Sequence, residues 1–336
     1  MAQHQENICV DALTDRCIVS GYEFEDIGGI LETVFGKVIY NEQFVKQRAE
    51  KVAVYQKQLE YLKTIPILEQ RTPEWHAARQ TLITASDFAQ ALGDGKFGTR
   101  EQLLRKKCGY EEDKFNASAP ALKWGTMFEP VANDIYGQRN KMKVFEFGLL
   151  RHPTIPHFGA SPDGVNECGI MVEIKCPFRR KIDGTVPLQY YYQIQGQLEV
   201  TNLEECDYFE CEFFSSDDVD DIFDEPGDGE MGAIIENPED HFEYSLTSCT
   251  WTREELAKWT NMKQGKILYF KLKKASTIRV YKDQNFVDQK LAQLSTVWDK
   301  IMEYRADEEL YKKEVKQVTA ESAYKPPAKF TGWAFD

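Results

Sequence analysis

The stretch GASPDGVNECGIMVEIKCPFRRK, residues 159–181, contains the features that decide the fold. It has a Pro-Asp-Gly turn followed by a short branched run that is typical of a β-strand. Alternate residues of a strand lie on one face, so Glu173 and Lys175 are expected to point together while Ile174 turns into the core. A turn after the preceding strand then brings Asp163 beside Glu173. The stretch therefore predicts a hairpin with three charged side chains held together.

Two carboxylates as close as Asp163 and Glu173 repel each other unless one is protonated or a cation lies between them. A hard divalent ion with oxygen ligands, Mg²⁺ or Mn²⁺, resolves that conflict. Such a metal lowers the pKa of bound water and polarises a phosphate, while Lys175 beside it can orient or deprotonate that water. This arrangement suits the hydrolysis of phosphodiesters. The alternative is a surface salt bridge between Glu173 and Lys175 on a half-buried strand.

The residues around this hairpin alternate between helical and strand-like patterns. Helices are predicted at 42–63, at 100–108 behind a Thr99/Gln102 capping box, and at 187–200, 252–270 and 284–306. A further helix at 120–139 either starts anew or bends at Pro130. Strands are predicted at 143–152, 171–176, 206–214 and 276–281. This order indicates an α/β fold with a central mixed β-sheet flanked by helices.

The composition divides the chain into five segments. We predict a helical N-terminal extension at 1–65, a core at 66–214, an acidic surface insertion at 215–243, helices and a strand that complete the domain at 244–315, and a tail at 316–336. The acidic segment misses the spacing of a calcium-binding loop. It either binds a basic partner and discourages DNA on its face, or is an inert surface loop.

The net charge of -14 argues against a nucleic-acid partner only when its distribution is ignored. Between Glu204 and Glu243 there are 17 acidic residues and no Lys or Arg, which leaves -14 + 17 = +3 for the remainder. Basic clusters at Arg105–Lys107, Arg179–Lys181 and Lys263–Lys274 can face phosphate, or can be solvated helix faces.

The eight cysteines include no C-x-x-C pair and no cluster with zinc spacing, so we expect free thiols in a reducing compartment. The sequence has neither a secretory start nor an apolar run approaching the length of a membrane span. We expect a soluble intracellular protein, in the cytoplasm or nucleus, with no membrane partner.

Five motifs occur in the order and approximate spacing of the lambda-type exonucleases. They are RTPEWHAARQTLITASDFAQALG (71–93), KWGTMFEPVANDIY (123–136), GASPDGV (159–165), VEIKCPF (172–178) and QYYYQIQGQLEV (189–200). Residues 70–214, less than half of the chain, thereby resemble the YqaJ viral recombinase family within the PD-(D/E)xK nucleases. The resemblance implies a restriction-endonuclease-like core with helical N- and C-terminal additions.

The resemblance assigns roles to matching positions. Asp163 and Glu173 look like metal-binding carboxylates, with the Ile174 carbonyl as a further ligand and Lys175 as the catalytic lysine. Glu129, in the G-x-x-x-E segment from Gly125, looks like the helix-borne acid that reaches the metal through water or completes a second metal site. Gln193 resembles the family's glutamine on the helix behind the active site. The expected cofactor is Mg²⁺, for which Mn²⁺ substitutes, with one or two ions per site.

A second set of positions resembles the family's contacts to DNA. Arg79 and Ser86 match its pocket for a terminal 5′-phosphate, for which Arg offers a planar fork. The alternative is that Ser86 is an N-cap and Arg79 a surface ion pair. Ser161 resembles the small polar residue beside the metal. The family's basic residue after E-x-K falls at Lys181, with Arg179 and Arg180 adjacent, and which of the three meets phosphate stays open.

The activity implied is that of a Mg²⁺-dependent DNA exonuclease. It would degrade double-stranded DNA from 5′-phosphorylated ends and yield single strands for recombination, replication or repair, with a single-strand annealing protein as a possible partner. The alternatives are an endonuclease of the same fold acting on DNA or RNA, and a non-catalytic DNA-binding scaffold. The family's ring-shaped trimer does not carry over directly, because the N-terminal extension and acidic segment lie outside the resemblance.

Overall fold

The computed structural model describes residues 10–35, 42–68, 70, 72–96, 98–110, 119–227, 229–237 and 241–321. Its helices are α1 (Val10–Val19), α2 (Phe24–Phe35), α3 (Glu42–Lys63), α4 (Pro73–Gln80), α5 (Phe88–Leu92), α6 (Arg100–Cys108), α7 (Pro120–Asn140), α8 (Leu188–Thr201), α9 (Val219–Asp224), α10 (Arg253–Asn261), α11 (Gln284–Ala306) and α12 (Glu308–Glu321). Its strands are β1 (Ile83–Thr84), β2 (Val144–Phe145), β3 (Leu150–Arg151), β4 (Phe158–Ala160), β5 (Gly164–Asn166), β6 (Met171–Lys175), β7 (Glu205–Ser216), β8 (Met231–Glu236), β9 (Phe242–Tyr244) and β10 (Lys266–Tyr281).

The strands of the described residues form two sheets. The larger has the order β2-β5-β6-β7-β10-β8-β9, and the smaller has the order β1-β4-β3. The β6–β7 pair is parallel while the other pairs of the larger sheet are antiparallel, so that sheet is mixed. The predicted mixed α/β fold is confirmed.

Strand β6 lies between two helical layers, and its buried side chains alternate between them. Met171 packs in a core with residues of α8, whereas Val172 and Ile174 pack in a separate core with residues of α7. Glu173 therefore lies on the α8 face of the sheet, and Ile174 turns into the core as predicted. The end of β6 is the point where both helices and the sheet meet.

The predicted hairpin before Glu173 is formed by β5 and β6, which pair Gly164 with Val172. Its turn depends on Gly169, which has a φ of 77° and whose missing side chain leaves room for the Tyr55 carbonyl. The Asn166 amide oxygen accepts bonds from the backbone N–H groups of Cys168 and Ile170, at 3.0 and 3.1 Å. The turn is thus held from both sides.

Helices predicted from periodicity and capping are confirmed. The α3 positions with helical spacing, Val45, Val52, Tyr55, Leu59 and Leu62, are all buried. Thr99 and Gln102 exchange the bonds of a capping box at α6, and left-handed Gly109 ends it. Helix α7 contains Pro130 in its interior, so the alternative in which a new helix starts at that proline is wrong.

Two predicted boundaries are wrong. The helix expected at 252–270 ends at Asn261, and β10 begins at Lys266, where its pairing with β8 starts. Gly265, at a φ of 138°, lies between the two elements. The strand expected at 143–152 divides into β2 and β3, which belong to different sheets. The division surrounds Gly148, where a side chain would overlap the Leu68 carbonyl.

The acidic segment 215–243 is in part a structural element of the larger sheet. Its stretch Met231–Glu236 forms β8, which pairs along β10 and has a largely buried sequence. Apolar Ile234 and Ile235 are fully buried there, so the prediction of a surface insertion is wrong for this strand. The acidic run 217–225 surrounds α9 and carries most of its carboxylates on the surface.

The helices of residues 10–63 are fastened to the sheet through a buried ion cluster. Arg48 of α3 donates to Asp15 of α1 and to Glu205 of β7, at 2.5 Å each. Arg279 of β10 donates to the same Glu205 at 2.5 Å and to Asp207 at 2.7 Å. Buried charges persist only when they are paired in this way, so these helices belong to the folded unit and are not a loose addition.

The seven cysteines of the described residues are free thiols, as predicted. Among the described helices, none combines the length and the apolar character needed to cross a bilayer.

Candidate active site

The charged group predicted at the end of β6 is assembled around Glu173, which is fully buried. The Lys175 ammonium donates to Glu173 Oε1 and to the Ile174 carbonyl, the latter at 3.0 Å, and lies 3.9 Å from Asp163 Oδ2. The Ile174 amide donates to Asp163 Oδ2 at 2.7 Å. The alternative of a surface salt bridge on a half-buried strand is therefore wrong, because Glu173 has no solvent exposure.

Helix α8 holds the other side of this carboxylate. Gln193 donates its side-chain amide to Glu173 Oε1 at 2.6 Å, and Gln197 donates to Glu173 Oε2 at 2.8 Å. Residues four apart lie above one another on a helix, so both amides reach the same group. The sequence analysis found Gln193 and missed Gln197, which the Q-x-x-x-Q spacing within QYYYQIQGQLEV signals.

Gly196 allows α8 to come this close to the smaller sheet. A side chain at that position would meet the Phe158 ring of β4 at 3.0 Å and the Phe88 ring at 3.1 Å. The glycine therefore permits the close packing of α8 against β4 and α5.

The protonation of the group follows from its burial. Desolvation, with the charge of Asp163, raises the pKa of Glu173 to about 7, although Lys175 and Gln197 act in the opposite direction. Burial disfavours the Lys175 ammonium, but attraction to Glu173 and Asp163 is larger and raises its pKa above the usual value. Lys175 is thus a cation here, which favours a role in stabilising charge over one in removing a proton.

A cleft of about 310 Å³ opens beside this group and is lined by Glu129, Asp163 and Ile174. Glu129 extends from α7, so the helix-borne acid faces the same space as Asp163. Glu173 lies behind the cleft, where the α8 amides hold it. The cleft therefore gathers Glu129, Asp163 and Ile174, three of the four predicted ligand residues, whereas Glu173 is not part of its lining.

The donors fit a hard divalent cation because they are carboxylate and carbonyl oxygens. In the part of the chain that the structure describes, no three Asp, Glu, His or Cys side chains are gathered closely enough to form a complete metal site. Lys175 is shared by the two carboxylates nearest to it, Glu173 and Asp163. The donor oxygens are thus of the type that the predicted ion prefers, but among the described residues their side chains do not surround a single point.

Arg79 lies in a second polar cluster, which connects to the first through Trp75. The Arg79 guanidinium donates to Thr84 Oγ1 and Ser86 Oγ at 3.2 and 3.1 Å and lies 4.3 Å from the Trp75 ring centroid. Trp75 Nε1 in turn donates to Ser161 Oγ at 3.3 Å. The predicted phosphate residues Arg79, Ser86 and Ser161 are therefore neighbours around Trp75, and Ser161 precedes Asp163 by two residues along the chain. We name Arg79, Thr84, Ser86, Trp75 and Ser161 the end pocket.

The predicted alternative for Ser86, an N-cap, does not hold. Thr84 occupies the N-cap of the short 3-10 helix Ala85–Asp87 that precedes α5, and Asp87 bonds back to the Thr84 amide at 3.2 Å. Ser86 is exposed and directs its hydroxyl at Arg79.

The basic run after β6 separates into different roles. Arg180 pairs with Glu210 of β7, which is fully buried and also accepts a bond from the Tyr208 hydroxyl at 2.7 Å. Arg179 and Lys181 are exposed, and Arg179 lies 5.2 Å from the Phe178 ring centroid. Arg180 is thus held as a structural counter-ion, which leaves Arg179 and Lys181 as the candidates for DNA contact.

The other basic clusters are only partly solvated faces. Lys107 is buried against Asp87 at 3.0 Å, and Lys271 is buried with its ammonium donating to the Glu225 carbonyl at 2.6 Å. Asp87 and Glu225 are distant from these lysines in sequence. The sequence alone therefore gives the basic clusters the appearance of free cationic surfaces.

Residues 74–204 match the family model of the YqaJ-like viral recombinase domain. The matched residues are less than half of the chain. The charged group of β6, the α8 amides and the end pocket all fall within these bounds, so the part of the chain similar to that domain carries the whole candidate site.

This chain is similar to proteins of two viruses. An uncharacterized protein of Acanthamoeba polyphaga mimivirus is 26% identical over 344 residues, covering 84% of this chain and 60% of that protein. A protein of African swine fever virus (strain Badajoz 1971 Vero-adapted) is 28% identical over 162 residues, covering 40% of this chain and 46% of that protein. The chain thus spans about half the length of the curated relatives it matches.

Solved exonuclease structures are similar to this chain at low identity. An alkaline exonuclease from Laribacter hongkongensis aligns with a TM-score of 0.47 and 22% identity, over 73% of this chain and 100% of that one. A phage-related exonuclease from Haemophilus somnus 129PT aligns with a TM-score of 0.41 and 10% identity, over 67% of this chain and 96% of that one.

The different roles of the two arginines after β6 predict different stabilities. Arg180→Ala leaves the buried Glu210 carboxylate without its counter-ion and should lower the free energy of unfolding by about 3 kcal/mol. Arg179→Ala, its exposed neighbour, should change that free energy by less than about 0.5 kcal/mol. Urea unfolding of the two variants measures both values, and equal effects would contradict the assignment.

Proposed function

We propose that this chain is a divalent-metal-dependent deoxyribonuclease. The observation that carries the proposal is the buried Glu173 carboxylate, shared by Lys175 and two α8 amides beside Asp163 and the Glu129 cleft. The match of residues 74–204 to the YqaJ-like viral recombinase domain supports the same chemistry.

Asp163, Glu173, the Ile174 carbonyl and Glu129 would hold the ion, which is Mg²⁺ with Mn²⁺ as a substitute. When bound, it activates water and polarises the scissile phosphate. Gln193 and Gln197 keep both oxygens of Glu173 oriented, so the carboxylate does not need to reorganise. Lys175, as a cation, stabilises the negative charge that builds on the phosphate oxygens.

The substrate that we propose is the 5′-phosphorylated end of double-stranded DNA, degraded in the 5′-to-3′ direction. Arg79 offers a planar guanidinium beside the Ser86 hydroxyl, a combination suited to a terminal phosphate. Arg79 and Lys107 are the two cations that act on the single buried carboxylate of Asp87, and the Lys107 ammonium lies 3.0 Å from Asp87 Oδ2. This cluster thus has one positive charge in excess, which an anion would balance.

The exposed cations Arg179 and Lys181 lie a few residues beyond Lys175, where they can contact the phosphate backbone of the duplex. The product would be single-stranded DNA for recombination, replication or repair. An annealing protein that binds that strand is the class of partner we propose.

The proposal predicts metal-dependent digestion of linear DNA. With Mg²⁺, the protein should degrade a 5′-phosphorylated linear duplex and leave closed circular DNA intact, because an exonuclease needs an end. Asp163→Asn, Glu173→Gln and Lys175→Met should each lower the rate by at least about a hundredfold, since each removes charge stabilisation worth several kcal/mol.

Glu167→Gln is the matched control, because Glu167 lies at the turn of the same hairpin and bonds to the Lys143 amide at 2.9 Å. It should keep the activity of the parent protein. Cleavage of closed circles would indicate an endonuclease instead, and intact linear DNA, or full activity of Asp163→Asn, would contradict the proposal.

The protonation of Glu173 predicts an alkaline activity profile. Because burial and Asp163 raise its pKa to about 7, Glu173 keeps a proton as the pH falls below that value and ceases to be a metal ligand. At constant Mg²⁺, kcat/KM on linear duplex should therefore fall about tenfold for each pH unit below about 7. A profile that is flat between about pH 6 and about pH 8, with circular dichroism showing an intact fold, would contradict this.

A further inference from the structure

Lys107 of α6 is a buried lysine that lies under the end pocket. It is 2% exposed, and its ammonium donates to the Arg79 carbonyl at 2.8 Å and approaches Asp87 Oδ2 at 3.0 Å. Removing an ammonium group from water costs free energy, so a buried lysine is stable only when its partners compensate for the lost hydration. The buried position of Lys107 therefore depends on its pairing with Asp87.

The Thr84 hydroxyl group lies between the Asp87 carboxylate and the Arg79 guanidinium. Asp87 Oδ2 accepts a bond from Thr84 Oγ1 at 2.8 Å, and the same Thr84 oxygen accepts from Arg79 Nη2 at 3.2 Å. The Thr84 hydroxyl gives its single proton to Asp87 and its lone pair to Arg79. Thr84 thus separates a carboxylate and a guanidinium that attract each other strongly in a buried setting.

We propose that Lys107 determines the specificity of the end pocket for a terminal phosphate by neutralising Asp87, which leaves the Arg79 guanidinium available to the substrate. The inference rests on the proposed function, since it concerns the same pocket. Lys107 touches no substrate in this account and is a positioning residue.

The electrostatics give the reason. Without Lys107, the buried Asp87 carboxylate has Arg79 as its nearest remaining cation, and pairing between them would use the fork that the phosphate needs. With Lys107 present, Asp87 is already balanced, and the second cation of the cluster is in excess. The pocket therefore attracts an anion because it has two cations for one carboxylate.

A purely mechanical role for Lys107 is the alternative. Its bond to the Arg79 carbonyl fixes the last turn of α4, and Arg305 of α11 donates to the carbonyls of Lys107 and Gln80 at 2.5 and 2.6 Å. Arg305 therefore also holds the C-terminal ends of α4 and α6, independently of the Lys107 side chain. The two roles differ in what the removal of Asp87's charge does, since only the electrostatic role predicts a rescue.

The test measures the affinity of the full chain for a short hairpin duplex with either a 5′-phosphate or a 5′-hydroxyl end, by fluorescence anisotropy in EDTA. Wild type should bind the phosphorylated end at least about tenfold more tightly, as for a charge-assisted hydrogen bond. Lys107→Met should reduce that ratio to within about twofold while keeping its affinity for the hydroxyl end. The double variant Lys107→Met/Asp87→Asn should restore the wild-type ratio, because no carboxylate then competes for Arg79.

Lys106→Met is the control, since it removes the same charge one residue away and should keep the ratio. A Lys107→Met protein with the wild-type ratio, or a double variant as indifferent as the single one, would overturn the inference. Should Lys107→Met not fold, Lys107→Gln replaces it in both the single and the double variant, because the comparison of the two variants is what shows a rescue.

Arg79→Met separates this inference from the proposed function. If wild type itself does not distinguish the two ends, the end pocket and the inference both fail. If wild type distinguishes them and Arg79→Met does not, the pocket stands. A Lys107→Met protein that still distinguishes them then overturns the role of Lys107 alone.

Discussion

The buried Glu173 carboxylate is the constraint on which the rest of the structure depends. An isolated carboxylate cannot be buried at this depth without compensation, and here Lys175, Gln193 and Gln197 supply it. These donors come from β6 and from α8, so strand and helix must lie at one fixed distance. Gly196 lets the other side of α8 pack closely on the smaller sheet, because any side chain there would meet the Phe158 ring of β4. The alternation of β6 between the α7 and α8 cores follows from the same arrangement.

The two polar clusters of the domain are joined by short contacts around a shared tryptophan. Trp75 lies under the Arg79 guanidinium and donates to Ser161, which precedes Asp163 by two residues. An end held at Arg79 would therefore lie near the proposed metal ligands. This proximity connects recognition of an end to the hydrolysis of a phosphodiester, which is what an exonuclease requires.

The sequence predicts the elements near the site well because their signals are local. The alternation around Glu173 and the capping box of α6 depend on residues a few positions apart, and the structure confirms both. The Pro-Asp-Gly turn is wrong in its place, because Gly164 begins β5 and the hairpin turns at Gly169. The partners of buried charges could not be predicted in this way, because they are distant in sequence: Arg180 meets Glu210, and Lys107 meets Asp87.

The composition of the acidic segment was also misleading, because composition does not show which distant residues pair after folding. The acidic character of residues 215–243 favoured a surface loop, yet Ile234 and Ile235 are apolar and become the buried face of β8 once β10 is present to pair with it. The helix expected through residue 270 fails because pairing with β7 and β8 favours a long strand over local helical periodicity. Tertiary pairing decided both elements.

The central claim is that Asp163 and Glu173 form a site for a divalent cation, and titration calorimetry of the DNA-free protein with Mn²⁺ tests it most directly. At a pH above about 8, where Glu173 is ionised, we expect saturable binding that weakens at least about tenfold in Asp163→Asn and is unchanged in Glu167→Gln. Absence of Mn²⁺ binding in the parent protein, or equal affinity in Asp163→Asn, would contradict the account.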